Sequence, residues 1–532
     1  LNQITPTTQR ILACAFLIMV ACKQKFNLIY NTCLLEVALH ADTQQWERFE
    51  ETPFPLKLSM HFFNITNRDQ VLEGAVPVVQ ELGPFVYRLY TKRVITNMTA
   101  DKVKYRRRDF LEFDVEASFP LTEEDEVVIV NVPYQAILQS AEIRVPALMA
   151  ALHLATAEVF GAERNSPIAE LALEGFKMCQ RPGLMGGIAC SQIKSMSEES
   201  RNMETMDDGT LVFSILKYRH EVLSSEFEVD RGTDDVHHLG HILNFEGEPE
   251  LKNWPEAAGG PVPNERGTGL CNMINGTDSY IYSPFVDKTE KLFALNPDIC
   301  RSVELRFQKE SSFAGVSSYR FTVDDWFLAN DDGCFCLNQT KGITRPNGCL
   351  LRGAAELMSC VGGPLVLSYP HFLFAADEYR NGVIGLTPDE GKHKIAMEIE
   401  PYTGTPLRGY KRAQFNVFLR PIAGIPATDK LKTTLTPAFW IQESMELTEE
   451  FIQELNDRLV SNLRLVDIIV PVLFTVSAVV LVVGLGLGSA VWYRNNRTKK
   501  EESDPVASTS KAEPTKTFLF TEPTQLKIAN RY

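Results

Sequence analysis

Three histidines close together, His237, His238 and His241, with Asp234 and Asp235 just before them, are the residues whose types come nearest to chemistry. On a helix His237 and His241 would share a face and could hold a metal ion. The surroundings read instead as strand and turn, and no His-Glu-x-x-His stands there, so no metal site is expected. No Gly-x-Ser-x-Gly elbow and no phosphate-cradling glycine loop occurs. Asp324-Asp325 and Asp331-Asp332 lack the ligand spacing of a calcium loop. Carboxylates are abundant, but none stands out as a catalytic dyad. The expectation is a binding or transport protein with no catalytic residue, metal or cofactor, rather than an enzyme.

The cysteines offer a different chemistry. Of eleven, Cys14, Cys22 and Cys33 come early, Cys179 and Cys190 form a pair, and Cys271, Cys300, Cys334, Cys336, Cys349 and Cys360 crowd into ninety residues. Outside a membrane such crowding reads as a disulfide framework, and Cys179 with Cys190 as a staple on a Gly- and Pro-containing loop. Cys334 and Cys336 are too close to pair with each other, and spacing does not choose among fifteen pairings of six cysteines. Four sequons, at Asn64, Asn97, Asn275 and Asn338, are candidate glycosylation sites. A fifth, at Asn496, is expected on the other side of the membrane and unmodified.

That sidedness comes from the run 468–493, from Ile468 to Tyr493, which carries no charge over 26 residues. At about 1.5 Å per residue it exceeds the roughly 30 Å of a bilayer core. Arg494, Arg497, Lys499 and Lys500 follow it, so the tail is placed in the cytoplasm and the body outside the plasma membrane. Gly484, Gly486, Gly488 and Ala490 give the small-residue spacing on which two such helices could pair as a homodimer. A formal charge of −15 argues against nucleic-acid binding and against broad attraction to anionic lipid. The chain divides into an N-terminal hydrophobic region at 1–39, an outer domain at 40–463, a juxtamembrane and membrane helix at 464–493 and a tail at 494–532. The first residue is Leu1. The apolar run 11–22 is too short to span and is followed by Lys23 and Lys25. It reads as a signal-peptide core, a degraded membrane helix or a faulty gene start.

Within the outer domain the period is mostly two. A strand is expected up to Thr66, then a helix capped by Asn67 with Gln70 in a capping box, broken at Gly83-Pro84. Extended structure follows to Pro133, with 127–130 a buried strand. Tyr105-Arg-Arg-Arg-Asp109 reads as a solvated strand edge and Glu123-Glu-Asp-Glu126 as a solvated turn. Leu148, Leu152, Ala155 and Val159 share a helical face within 146–162, and 168–176 could be a second helix; no other helical block is expected in the first half. Alternation marks strands around Tyr319 to Val323 and Phe415 to Leu419. The stretch 256–269 looks like a Gly- and Pro-rich insertion or a splicing artefact. Phe451, Leu455, Leu459 and Leu463 make a stripe leading into the membrane run. The tail from Thr498 reads as disordered.

Several stretches together resemble the CD36 family, the class B scavenger receptors. They are His61-Phe-Phe-Asn-Ile-Thr-Asn67, Glu81-Leu-Gly-Pro-Phe-Val-Tyr87, Cys271-Asn-Met-Ile-Asn-Gly-Thr-Asp278, Asp298-Ile-Cys-Arg-Ser302, Cys334-Phe-Cys336, Ser368-Tyr-Pro-His-Phe372 and Glu400-Pro-Tyr-Thr-Gly404. They stand in family order across about residues 46–440. Within the family the chain looks most like the insect sensory neuron membrane proteins, on the Cys179/Cys190 loop and on Phe213-Ser-Ile-Leu216 leading to Val229-Asp-Arg-Gly232, with the second branch nearer.

The resemblance implies an α+β fold: a large irregular antiparallel β-barrel with an internal hydrophobic tunnel and a helical cap, anchored by membrane helices. It implies disulfides Cys271–Cys334, Cys300–Cys360 and Cys336–Cys349. The tunnel entrance is expected at Leu152, Val159, Phe160, Arg164 and Phe176. Function would be non-covalent: a lipid or pheromone-like ligand enters at the cap, runs through the tunnel and passes to the bilayer or to an odorant receptor complex, the protein acting as an olfactory co-receptor. Two alternatives are a general scavenger or phagocytic receptor and a lysosomal escort protein. The cap has Glu158, Glu163 and Arg164 but no lysine cluster, which weakens lipoprotein scavenging, and the tail carries no clear sorting signal for the lysosome.

Overall fold

Runs of branched and aromatic residues make strands here, and most of the strands join one sheet. The computed structural model describes residues 37–501 except 162–165, 199, 255–269 and 331–334. The readings of the N-terminal region to residue 36 with Cys14, Cys22 and Cys33, of Arg164, of 256–269, of Cys334 and of the tail beyond 501 lie outside the described residues. Contacts divide the chain into two units, one ending at Leu463 and one beginning at Arg464.

In the first unit the main-sheet strands are β1 (Leu56–Ile65), β2 (Val79–Met98), β3 (Lys102–Phe113), β4 (Leu223–Asp230), β5 (Ile242–Phe245), β6 (Lys291–Asn296), β7 (Arg301–Phe313), β8 (Val316–Val323), β9 (Ala354–Glu356), β10 (Val366–Ser368), β11 (Ile395–Ile399), β12 (Pro406–Leu419) and β13 (Thr434–Glu446). They pair in the order β5-β4-β3-β2-β1-β13-β12-β11-β8-β7-β6, with β10 also on β12 and β9 on β10. The pairs are antiparallel, with Met60 opposite both Phe85 and Ile441. The two ends of this order come back together through one loop. The Ile242 amide donates to the Gly276 carbonyl and the Leu295 amide to the Thr277 carbonyl, both at 2.9 Å. Gly276 has φ +76°, and a Cβ there would stand 1.9 Å from the Phe293 carbonyl oxygen, so glycine alone fits. The result is a large, nearly closed antiparallel sheet with both faces covered at its centre: Gln414, Asn416, Val417 and Phe418 of β12 are all fully buried.

Helices α1 (Gln44–Glu50), α2 (Val132–Arg144), α3 (Met149–Phe160), α4 (Leu184–Ser197) and α5 (Glu449–Leu455) complete this unit. Asn131 caps α2 by accepting from the Tyr134 amide at 2.9 Å. Gln139 on α2 donates to the Phe418 carbonyl at 2.9 Å, tying that helix to the end of β12. The Cys179–Cys190 bridge, with Cα atoms 5.9 Å apart, links α4 to the strand Phe176–Met178.

Several local expectations are corrected. The helix after Asn67 is short, Arg68–Leu72, and has no side-chain cap. Asn67 instead accepts from the Val78 amide and donates to the Val76 carbonyl, pinning the next strand. Gly83-Pro84 lies inside β2, at a bulge opposite His61 where Pro84 need not donate to the ladder. Of 127–130 only Val127 is in a strand, and Val128 is held by the Asn64 side chain. β3 is paired on both sides, so Tyr105–Asp109 is no sheet edge. A π-turn, Glu170–Glu174, and the strand at Phe176 replace the second helix, while α2 and α4 were not expected. The loop between Cys179 and Cys190 is cut short by α4, where the Gly186 amide donates to Glu158 at 2.9 Å. The stripe from Phe451 is shifted by a π-turn, Asn456–Val460.

Helix α6 (Ser461–Glu501) supplies the one candidate membrane span among the described residues, Pro471–Thr498, with mean hydropathy 2.3. Ile468 and Tyr493 are exposed, Gly484 is buried and Gly488 half-buried.

Candidate ligand cavities

Four cavities in the first unit share lining residues in sequence. One lies between α2 and α4 and has Ile137 and Ile193 in its wall. It shares Val132, Phe213 and Leu365 with a main cavity of about 150 Å³ inside the sheet. The main cavity shares Ser279, Lys411 and Glu443 with a small one of about 30 Å³. That one in turn shares Leu56, Tyr280 and Met445 with a cavity of about 560 Å³ at α1 and α5. The stripe residues Phe451, Leu455 and Leu459 line this last cavity, and Arg48 of α1 ion-pairs with Glu454 of α5 at 2.6 Å beside it.

The main cavity has two kinds of wall. Leu305, Leu367, Met397, Phe415 and Ile441 make it apolar on one side. On the other, Arg107, Arg201, Arg219, Lys411 and their partners make it ionic. Arg219 reaches Asp109 at 2.9 Å, Glu443 at 3.2 Å and Asp298 at 3.7 Å. Lys411 reaches Glu443 at 2.8 Å, Arg201 reaches Asp298 at 3.5 Å, and Arg93 holds Asp278 at 2.7 Å. Burial alone would raise the Asp278 carboxyl, but Arg93, Arg107 and the Tyr105 hydroxyl outweigh it and bring it down to about 2. Burial likewise works against the Glu443 carboxylate, and Lys411 and Arg219 override it, leaving that carboxyl far below its usual range. Tyr280 separates the small cavity from the large one. Its ring lies under Arg93 at 4.9 Å and Lys411 at 5.2 Å, and its buried hydroxyl has no hydrogen-bond partner.

None of this ionic wall was singled out in the sequence except within the run 105–109, and there it was read as solvated. Period two held the signal: Tyr105, Arg107 and Asp109 share the inner face of β3, while Arg106 and Arg108 are exposed. The residues expected at an entrance lie elsewhere. Leu152, Val159 and Phe160 are packed in the core, Phe160 edge-on to Tyr134 at 4.9 Å, and Phe176 is half-buried; none of the four lines the cavities just described. Asn97 and Asn338 are exposed, Asn64 and Asn275 half-buried. His238 and His241 have ring centres 5.8 Å apart, and among the described residues no group of three His, Cys, Asp or Glu could hold a metal ion.

The sequence model of the CD36 family matches residues 9–487. The chain belongs to the CD36 family. It is a family of receptors and lipid-binding proteins, not of enzymes, and the chain is membrane-anchored. The chain is similar to sensory neuron membrane protein 2 of Drosophila melanogaster, 29% identical over 83% of this chain and 89% of the relative. It is also similar to sensory neuron membrane protein 2 of Anopheles gambiae (31%; 85% and 87%) and to sensory neuron membrane protein 1 of Pediculus humanus subsp. corporis (30%; 90% and 88%).

In this CD36-family chain Cys300 is bonded to Cys360 and Cys336 to Cys349, with Cα atoms 5.7 and 5.1 Å apart. Cys271 is also disulfide-bonded. The stretches that carry the family resemblance meet in space. Glu81 stands 2.7 Å from His61 Nδ1 and 2.9 Å from His371 Nε2, and accepts from Trp440 Nε1 at 3.1 Å. The Thr387 amide donates to His371 Nδ1, which leaves Nε2 as the donor to Glu81. Burial works against charge on Glu81, yet the His371 and His61 hydrogen bonds hold its carboxyl well below the usual range. His393 stacks on His371 at 4.4 Å; burial first, and then the charge of His371, bring His393 down to about 4. Gly276, which closes the sheet, and Asp278, which joins the ionic wall, come from the Cys271–Asp278 stretch.

Proposed function

We propose that this protein is a chemosensory membrane receptor that takes up a hydrophobic, pheromone-like or lipid ligand and conducts it through a tunnel in its outer domain. The observation that carries the reading is the string of four cavities, each sharing residues with the next, from the α2–α4 helices to α1 and α5. In this reading α2, α3 and α4 form the cap where ligand enters. An apolar wall spares a long chain from water at about 0.8 kcal/mol per buried methylene. Residues 40–463 form the extracellular domain and the chain beyond residue 494 faces the cytoplasm, the basic residues after Tyr493 setting that sense. The recipient is the bilayer or an odorant receptor complex. The names of the relatives support a sensory setting.

The test is transfer of a fluorescent long-chain ester into liposomes that carry the full-length protein. Ser444→Trp fills the small central cavity. It is expected to leave saturable binding in place and to stop transfer. Transfer that continues at the wild-type rate through Ser444→Trp would overturn the tunnel.

A further inference from the structure

The ionic wall of the main cavity is more than a brace for the sheet. Its carboxylates Asp109, Asp278, Asp298 and Glu443 are each already paired with Arg219, Arg93, Arg201 or Lys411. Arg107 is left over. Its side chain lines the cavity, yet among the described residues its guanidinium makes neither an ion pair nor a hydrogen bond. Its contact is the Phe227 ring, 5.3 Å below it. The buried Nε of Arg201, on the same wall, also has no partner. A guanidinium held away from water without a counter-ion is unfavourable, and an incoming anion relieves it. The planar fork of arginine matches a carboxylate, which can accept two hydrogen bonds from it at once.

We propose that this wall is an anion-binding subsite anchored by Arg107, which takes the carboxylate head of an amphiphile whose apolar tail lies along the Leu305, Leu367 and Phe415 side of the same cavity. The inference rests on the ligand-carrying reading above and narrows it: the subsite selects a charged head over a neutral one of the same chain length. An ester or alcohol head offers an acceptor to Arg107 but leaves its charge uncompensated.

The experiment uses the full-length glycosylated protein in detergent and compares radiolabelled hexadecanoate with radiolabelled methyl hexadecanoate at neutral pH. The carboxylate is expected to bind at least about tenfold tighter, in line with a charge-assisted hydrogen bond in a buried site. Arg107→Gln should bring the carboxylate down to the ester's affinity and leave the ester unchanged, which also shows that the variant is folded. Arg107→Lys should keep part of the preference. Equal affinities in the wild-type protein, or an undiminished preference in folded Arg107→Gln, would overturn the anion subsite while leaving hydrophobic binding intact. Absence of saturable binding for both probes would overturn the ligand-carrying reading and this inference with it. If Arg107→Gln does not fold, the wild-type contrast between the two probes and the Arg107→Lys result decide.

Discussion

At the scale of single residues, the positions that matter most are those whose side chains face inward against their type. His393 is buried and its pKa lies at about 4, below the ordinary 6.5 of histidine. The unfolded chain therefore takes up this proton before the folded chain does. Folding stability should fall as pH drops from about 6.5 to about 4, by roughly 2–3 kcal/mol from this group alone. Thermal melts of wild type and His393→Gln across that window check it: the slope should flatten in the variant, and an unchanged slope would assign the acid sensitivity elsewhere. Gly276→Ala is a second expectation. Its Cβ would overlap the Phe293 carbonyl in a left-handed backbone region, so a loss of more than about 3 kcal/mol, or failure to reach the cell surface, should follow. Neither role could be read from the sequence without a partner: Gly276 is defined by Phe293, and His393 by His371 and Trp440. Arg107 could have been read, since strand alternation alone puts it on the face of Tyr105 and not with its two arginine neighbours.

At the scale of elements, legibility followed periodicity. The alternation in β8, the face of α3 and the apolar run within α6 were visible because each buries one stripe or sits wholly in one solvent. Helix α2 was not visible because Gln135, Ile137, Leu138, Gln139, Ser140 and Ala141 are all buried, which erases the stripe. Helix α4 was hidden by Gly186 and Gly187, which read as loop; Gly186 is there because Glu158 of α3 crosses it. Tertiary packing overrode propensity in both. The Cys179–Cys190 bridge closes a short loop onto α4, so the double Cys179→Ser, Cys190→Ser variant should lose about 2–4 kcal/mol. Hydrogen exchange should show that loss in Leu184–Ser197 first and leave the β1–β13 ladder protected. Equal loosening of both would mean that the helices and the sheet unfold as one unit.

At the scale of the molecule, the proposed sidedness makes its own prediction. Asn97 and Asn338 are exposed and should carry glycans, while Asn496, beyond most of the span, should not. Mass shifts after glycosidase treatment of Asn97→Gln, Asn338→Gln and Asn496→Gln check this, and a glycan at Asn496 would reverse the orientation. The pairing of β1 with β13 bears on how such a chain is made. Met60 and Ile441 are neighbours in the ladder although 381 residues apart, so half of β1's hydrogen-bonding edge waits for the last strand of the sheet. At about 5–20 residues per second, synthesis alone imposes a delay of roughly 20–75 s. During that interval β1, β2 and β3 can form a meander whose outer rim is an open template for any passing strand. The newborn chain is thus at its most aggregation-prone until β13 arrives, just before the membrane segment emerges from the ribosome. A mutation that slows the docking of β13 should show itself as retention by chaperones, even where the mature receptor would have been stable.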